Sequence, residues 1–572
     1  MKNDDTKNLL SSDLQVDVAV IGSGAAGFSA ALTAAQEGLD VVIIEKTDVF
    51  GGTTAISGGA IWIPGSSHAK RMGADDSREK VTTYLKNLLG NHYSGNLIEA
   101  YLDAAPEAID YLEAHTHLRF IPRKYSPDYH SDLEGSVLGG RTMDSGHYNG
   151  RRLGKRFADI RSPLPQMMAF GGLMVTMDDV ANLKKIKTSL KAFFKLAALG
   201  ARFAFDKLSY PRGTRLVYGN AMIAAMYRSA LDADIAMFRG AEAKGLIRDG
   251  DRITGVHVAS AAGEYQILAK RGVVLATGGA SHNEQWRREN LPTPDAHFSM
   301  APRTNTGDGL QMGKEALGKV ANGNAKNAFF APVSKLPLGK GRVLQFPHLL
   351  GDRLMPGSIA VGSDGRRFVN EAESYHQFAS AMVEANKEGS HVPVHLICDS
   401  VFLRKYGLGM ARVDTKAYDK LIQAGYLIQA ESIDDLAMKI GVPQENLAET
   451  VSAVNAFAAS GVDTEFGKGS TAYNRYMGDA SQSPNPCLGP IEEAPFFAIK
   501  LWPGDIGSAA GLVCDGNARV LDSESQPIEG LYACGNDMNS IWSGFYPGGG
   551  ITIGPGLTFG YLAAKHMSAT MP

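Results

Sequence analysis

Gly22, Gly24 and Gly27 fall within one short stretch, Gly22-Ser23-Gly24-Ala25-Ala26-Gly27, and a carboxylate, Glu45, follows 18 residues after the last of them. Residues of these types at this spacing can bind a dinucleotide. Gly22 permits a tight turn, Gly24 lets the backbone approach a pyrophosphate, and Gly27 lets a helix pack closely on a strand. The helix N-terminus then faces the phosphate charge, and Glu45 accepts hydrogen bonds from a ribose. The elements that must position them surround them. Residues 16–21 (VDVAVI) are the continuous apolar run of a buried parallel strand. A small-residue helix pattern follows, with Gly38 near its end, and a second strand at 41–44 leads into Glu45. This unit alone does not separate NAD from FAD.

The next residues do. Glu45-Lys46, then Phe50-Gly51-Gly52-Thr53-Thr54 and Ser57-Gly58-Gly59, resemble the run of the fumarate reductase and ketosteroid dehydrogenase flavoproteins that passes the ribityl chain and the flavin ring. A strand-like segment at 272–276 ends in Thr277-Gly278-Gly279, similar to the ATGG of that class. Gly530-Leu531-Tyr532-Ala533-Cys534-Gly535-Asn536 resembles its GLYAAGN. A Gly-rich stretch at 548–556, with Ile553 as a candidate cofactor contact, leads into a helical pattern from Leu557 (LTFGYLAAKH), whose N-terminus suits negative charge at the N1–O2 edge of a reduced flavin. The implied fold is α/β: a glutathione-reductase-like Rossmann FAD-binding domain, discontinuous at 14–330 and 504–572, around an inserted α+β catalytic domain at 331–503. Within the insert, 359–369 reads as a hairpin turning at Asp364-Gly365, and 432–460 reads as helical.

The chain as a whole resembles the 3-ketosteroid Δ1-dehydrogenases, most strongly at 16–65, 272–282, 359–378 and 486–566. Arg367-Phe368-Val369-Asn370-Glu371 with Ser374-Tyr375-His376-Gln377-Phe378 is similar to the family's RF(V/A)NES…PYDxFG, Pro127-Asp128-Tyr129 to its PDY, and Phe545-Tyr546-Pro547-Gly548-Gly549-Gly550 to its FYPGPG. The resemblance implies that Tyr375 is the general base, that Tyr129 hydrogen-bonds the base, and that Tyr546 and the Gly550 N–H hold the ketone oxygen. Tyr125 rivals Tyr129. Ser374 and Gly549 stand where the family has Pro, and Gly549 loosens the Gly550 loop. The chemistry suits these types. A ketone acidifies its α-hydrogens, and donors placed where enolate charge develops lower the barrier. A Tyr phenol is a poor base at neutral pH unless a neighbouring hydroxyl or positive field favours its anion. His376 beside the base reads as a packing or surface residue, with a proton relay as the alternative, and Arg141 as either an organiser of the Tyr129 loop or half of a surface ion pair.

Composition bounds the rest. With 57 Lys+Arg against 60 Asp+Glu the net charge is −3, which gives no reason to expect nucleic acid. Four scattered cysteines form no metal signature and fit a reducing compartment. The first residues lack the pattern of a secretory leader, and no apolar run spans a bilayer, so a cytoplasmic protein is expected. An unusual basic helical stretch lies near 150–212, where Lys184, Lys185, Lys187, Lys191, Lys195 and Arg202 mix with Phe193, Phe194, Leu196, Phe203 and Phe205. Such a stretch either lies on an anionic membrane or packs over the protein with solvated lysines. FAD is expected to bind non-covalently, since the HxGG attachment context is missing. The expected partners are a hydrophobic ketone and, with no second dinucleotide fingerprint, a quinone-like or other electron acceptor. Two alternatives stay open: a non-steroid cyclic ketone as substrate, or a fumarate-reductase-like enzyme acting on a dicarboxylate. The latter lacks its RGE context here, the segment reading Gly351-Asp352-Arg353.

Overall fold

The computed structural model describes residues 9–186, 188–387, 389, 391–413 and 418–570. Residues 1–8, on which part of the leader reading falls, lie outside them, as do Lys187 and the side chain of Lys184.

Two sheets organise the chain. The first begins with β1 (Leu14–Ile21), whose inner half is wholly buried, as its apolar run requires. Helix α1 (Ala25–Gln36) and β2 (Val41–Glu45) follow. Gly22, at φ 107°, makes the turn between β1 and α1. A Cβ there would stand 2.2 Å from the Ala276 carbonyl oxygen, and a Cβ on Gly27 2.1 Å from that of Gly22, so both positions need glycine. Strands β3 (Ala236–Arg239), β4 (Glu242–Asp249), β5 (Arg252–Ser260) and β6 (Gly263–Leu275) extend this sheet in the order β3-β2-β1-β6-β5-β4. The second half of β6 pairs in parallel with a strand from the far end of the chain, residues Pro527–Ala533. The C-terminal helix, Ile553–Ala569, packs on α1, where Ser29 donates to the Leu557 carbonyl at 2.6 Å. The two chain ends therefore build one nucleotide-binding layer.

The second sheet is antiparallel. Its central strands, β7 (Ala328–Pro337) and the long strand Phe496–Ser508, pair with each other, Ala328 opposite Ser508 and Val333 opposite Trp502. They are the segments that leave and re-enter the flavin layer, and the expected junctions at 330/331 and 503/504 lie inside them. Strand β8 (Ser358–Val361) and helix α2 (Tyr375–Ala385) belong to this second body. The expected hairpin at 359–369 is a tight turn closed by one bridge, Val361 with Arg367. The second arm leaves because the Arg367 guanidinium is buried against Glu371 and Asp463, both at 2.9 Å. The expected helical stretch at 432–460 is two helices, Ile433–Ile440 and Gln444–Ser460, divided at Gly441 and Pro443.

Candidate active site

The flavin half is built from backbone. Ser23 donates to Glu45 through its N–H at 3.3 Å and its hydroxyl at 2.6 Å, while Thr47 fixes the other carboxylate oxygen. Thr54 accepts from the Ala25 N–H at 3.2 Å and so caps α1. Between these groups the surface is bare. A Cβ on Gly24 would meet nothing nearer than 3.8 Å, one on Gly52 nothing nearer than the Gly24 Cα at 3.7 Å, and one on Gly58 nothing within 4 Å. Such a groove of exposed backbone fits a pyrophosphate and ribityl chain. Gly59 lies at φ 65° beside the Ser57 hydroxyl, which accepts its N–H. Ala26, on the first turn of α1, lies against Gly535 and Gly556.

Of the other expected cofactor residues, Thr53 accepts from the Asn305 amide at 3.1 Å, and Asn305 also bonds the Gly278 carbonyl. Lys46 turns away from Glu45 to pair with Asp308 at 2.6 Å. Asn536 and Thr552, the latter just ahead of Ile553, line a cleft with Phe329 and Trp542. Two groups had no signal in the sequence. Asp537 gathers the Thr277 hydroxyl at 2.9 Å and the Gly279 N–H at 3.1 Å, tying the middle of the chain to its end, and burial pushes its carboxyl up to about 6. Asn305 bridges the flavin loop to Gly278.

Next to this cleft the structure gathers the tyrosines. Tyr375, the first residue of α2, donates to the Tyr546 hydroxyl at 2.5 Å. The Tyr546 ring stacks on Tyr129, centroids 5.4 Å apart and planes 9° apart, and meets Phe329 of the cleft wall edge-on at 5.8 Å. Tyr129 meets Tyr375 edge-on at 6.0 Å. A fourth ring, Tyr473, lies 4.8 Å from Tyr129. It was not foreseen, since nothing in its local sequence marks it. Tyr125 is exposed and packs on Tyr476 instead. Burial pushes the phenols of Tyr375 and Tyr546 well above their usual range. It raises Tyr129 as well, against a hydrogen bond with Tyr375 and the charges of Arg123 and Arg353.

The loops that carry these rings are locked together. The Pro547 carbonyl accepts both the Tyr129 N–H at 3.0 Å and the Tyr84 hydroxyl at 2.6 Å. Asp128 accepts from Trp62 at 2.9 Å and Arg141 at 2.6 Å, and Arg141 also pairs with Asp76, all but out of solvent. Arg141 thus organises the Tyr129 loop. Gly550, at φ 104°, abuts Ile61, whose backbone would lie 2.5 Å from a Cβ. Gly549 has room: a Cβ there would stand 3.5 Å from the Tyr129 hydroxyl. His376 stacks on Phe330 and accepts its N–H at 3.0 Å, and burial holds its imidazole well below 6.5, hence neutral.

Over residues 17–553 the sequence matches the FAD binding domain family. A 3-oxosteroid 1-dehydrogenase of Mycobacterium tuberculosis is 34% identical, over 97% of this chain and 98% of its own. The chain belongs to this family of FAD-dependent oxidoreductases. The fold agrees: the crystal structure of 3-ketosteroid Δ1-dehydrogenase from Sterolibacterium denitrificans, in complex with 1,4-androstadiene-3,17-dione, superposes with a TM-score of 0.89 at 35% identity, covering 97% of this chain and 99% of that one. A 4-oxocyclohex-2-ene-1-carboxylate 5-dehydrogenase of Sinomonas cyclohexanicum is 37% identical over 96% of this chain and 93% of its own. FAD is the cofactor of the family, and the bare groove between Gly24, Gly52 and Gly58 fits it.

Proposed function

We propose that the protein desaturates a ring ketone, removing two hydrogens from the adjacent carbons C1 and C2 of a 3-ketosteroid. The observation that carries this reading is the direct contact between the Tyr375 and Tyr546 hydroxyls beside the flavin cleft. Tyr546 accepts from Tyr375, so its own proton is left to donate to a ketone oxygen, with the Gly550 N–H as the second donor. That polarisation acidifies the α-carbon; Tyr375, having first lost its own proton to solvent as a phenolate supported by Tyr129, takes the α-proton and becomes neutral. Bound FAD supplies the acceptor for the β-hydrogen, which leaves as hydride while the C–C double bond forms. Aromatic walls at Phe329, Tyr129 and Trp542 exclude water and suit a flat apolar ring. FAD is held without a covalent bond, and yellow colour retained in an acid-precipitated pellet would overturn that.

The Sinomonas relative, a dehydrogenase of a cyclohexenone carboxylate, supports a second substrate, a six-membered ring ketone bearing a carboxylate. Lys326 offers a cation for it: half-buried and shifted downward by burial, its ammonium lies 5.5 Å from the ring of Phe545, next to Tyr546. Anaerobic mixing of the oxidised enzyme with 4-androstene-3,17-dione, 4-oxocyclohexanecarboxylate or succinate separates the readings. Flavin bleaching by the steroid, with a 1,4-diene product, is expected. Bleaching by the cyclohexanone alone moves the substrate to a small ring, and bleaching by succinate alone overturns the ketone chemistry.

The basic stretch supports a place at a membrane surface. Its long helix, Leu190–Asp206, buries only Ala192 and Asp206. Phe170, Leu190 and Leu208 are 87%, 79% and 80% exposed, and Phe194 and Phe205 stand out beside them among Lys191, Lys195 and Lys207. Exposed aromatics ringed by lysines fit an anionic bilayer, where a quinone-like acceptor would also partition. Among the described residues no helix is long and apolar enough to cross a membrane. Four free, buried cysteines fit the cytoplasmic face. Flotation with phosphatidylglycerol vesicles but not with phosphatidylcholine vesicles is the expected result; no flotation with either refutes it.

A further inference from the structure

Arg353 is a buried guanidinium, 0% exposed, bonded to carbonyls just ahead of the Tyr375 helix. Its hydrogen bonds all go to main-chain carbonyls: His348 at 3.1 Å, Glu371 at 2.6 Å and Glu373 at 2.5 Å. Its second terminal nitrogen has no partner, and it lies over the Phe378 ring at 5.1 Å. Among the described residues it forms no ion pair. The carboxylate next to it in sequence, Asp352, is committed elsewhere, to His348 at 2.7 Å and the Gly409 N–H at 2.9 Å. The Glu373 carboxyl takes the side-chain amides of Asn370 and Asn474, and burial pushes it upward, toward its neutral form. A buried, unpaired cation is costly, and two features of its setting point to a use. The carbonyls it holds belong to Glu371 and Glu373, which lead into Ser374 and Tyr375 at the start of α2. Its field also falls on Tyr129 and Tyr473, drawing both phenols toward their anions.

We infer that Arg353 is a positioning residue for the base: it fixes the first turn of the Tyr375 helix and lends its unpaired charge to the anion shared by Tyr375 and Tyr129. This rests on the reading of Tyr375 as base. Of the other groups facing the cluster, Arg123 also draws Tyr129 toward its anion but shares its charge with Asp144 at 2.6 Å, His376 and His130 are held neutral by burial, and Tyr473 and Tyr546 are phenols. Among the described residues no carboxylate ion-pairs with Arg353; Asp352 and Glu373 act on it through space, without a direct bridge.

The test is the pH dependence of anaerobic flavin reduction by whichever ketone reduces the wild-type enzyme, for Arg353→Gln, Arg353→Lys and Tyr375→Phe side by side. Arg353→Gln is expected to move the rising limb of the rate–pH curve up by about one unit, a rate loss of about tenfold at pH 7 that shrinks as the pH rises. Arg353→Lys, which keeps the charge and loses the fork, is expected to keep the limb in place at a lower plateau. An Arg353→Gln curve lowered equally at every pH overturns the inference, because a purely structural role predicts that. Where the neutral variant does not fold, Arg353→Lys decides: an unmoved limb supports the charge, and a limb moved by a unit or more overturns it. Near-normal turnover of Tyr375→Phe sinks the base itself. Loss of turnover in Tyr375→Phe with an unshifted Arg353→Gln sinks only the role of Arg353.

Discussion

Replacing Tyr546 with Phe removes one oxygen and leaves the ring in place. The ring is 3% exposed and held by Tyr129, Phe329 and His376, so its packing survives. What is lost is the acceptor of the Tyr375 proton, 2.5 Å away, and the proposed donor to the ketone. The first loss costs about 1 kcal/mol of stability, since Tyr129 remains as a partner for Tyr375. The second removes an interaction that strengthens as enolate charge develops, about 3–4 kcal/mol, or a rate loss of about 10²–10³. Because that interaction belongs to the transition state, kcat and kcat/KM should fall together while KM changes little. Anaerobic stopped-flow at the flavin absorbance reads the step directly, and the FAD content of the purified variant checks that the cofactor site is intact. Flavin reduction within threefold of wild type, with full FAD content, would show that Tyr546 serves only as a packing ring.

Flavin reduction should rise by about tenfold per pH unit through the neutral range, because burial pushes Tyr375 well above 10 and its reactive form is the phenolate; a plateau already reached at pH 6 contradicts this. His395, buried on its strand, is shifted down to about 4 from 6.5, so the stability it contributes is whole above pH 6.5 and is lost as the pH falls toward 4. His395→Leu should therefore flatten the acid limb of the melting-temperature profile by on the order of 3 kcal/mol, and an unchanged acid limb counts against it. Asp128→Asn strips Arg141 of one of its two buried partners and should cost about 3–5 kcal/mol in a denaturant melt, with turnover falling as the Tyr129 loop loosens; a wild-type melt would show the pair to be dispensable. Gly549→Ala should keep activity within a few-fold, since its Cβ makes ordinary contacts, whereas Gly550→Ala should lose the loop geometry against Ile61; equal turnover of the two contradicts the assignment.

The legible parts of the molecule are those whose partners lie close in sequence. The turn at Gly22, helix α1 and Glu45 span a few tens of residues and obey simple periodicity, so the dinucleotide-binding unit could be read directly, while the flavin loop came from the family resemblance. The tyrosines were reachable only through family motifs, because Tyr129 and Tyr546 come from loops and Tyr375 from a helix start, which no local pattern connects. Asp537 and Asn305 act on groups more than 200 residues away and look like ordinary loop residues. Tyr473 sits in a short helix whose sequence gives no hint that one ring faces a site. The hairpin at 359–369 misleads for a related reason: its turn is real, but buried ion pairs of Arg367, invisible to β-propensity, take the second arm elsewhere.

The lock of Pro547 onto Tyr129 lies within the flavin-bearing layer, whereas Tyr375 and Tyr473 ride on the body built around the antiparallel sheet. On the reading proposed above, the acid–base groups are divided between the two bodies like the jaws of a clasp: a displacement of one body against the other would part the Tyr375 and Tyr546 hydroxyls while leaving the glycine groove, which lies within one body, intact.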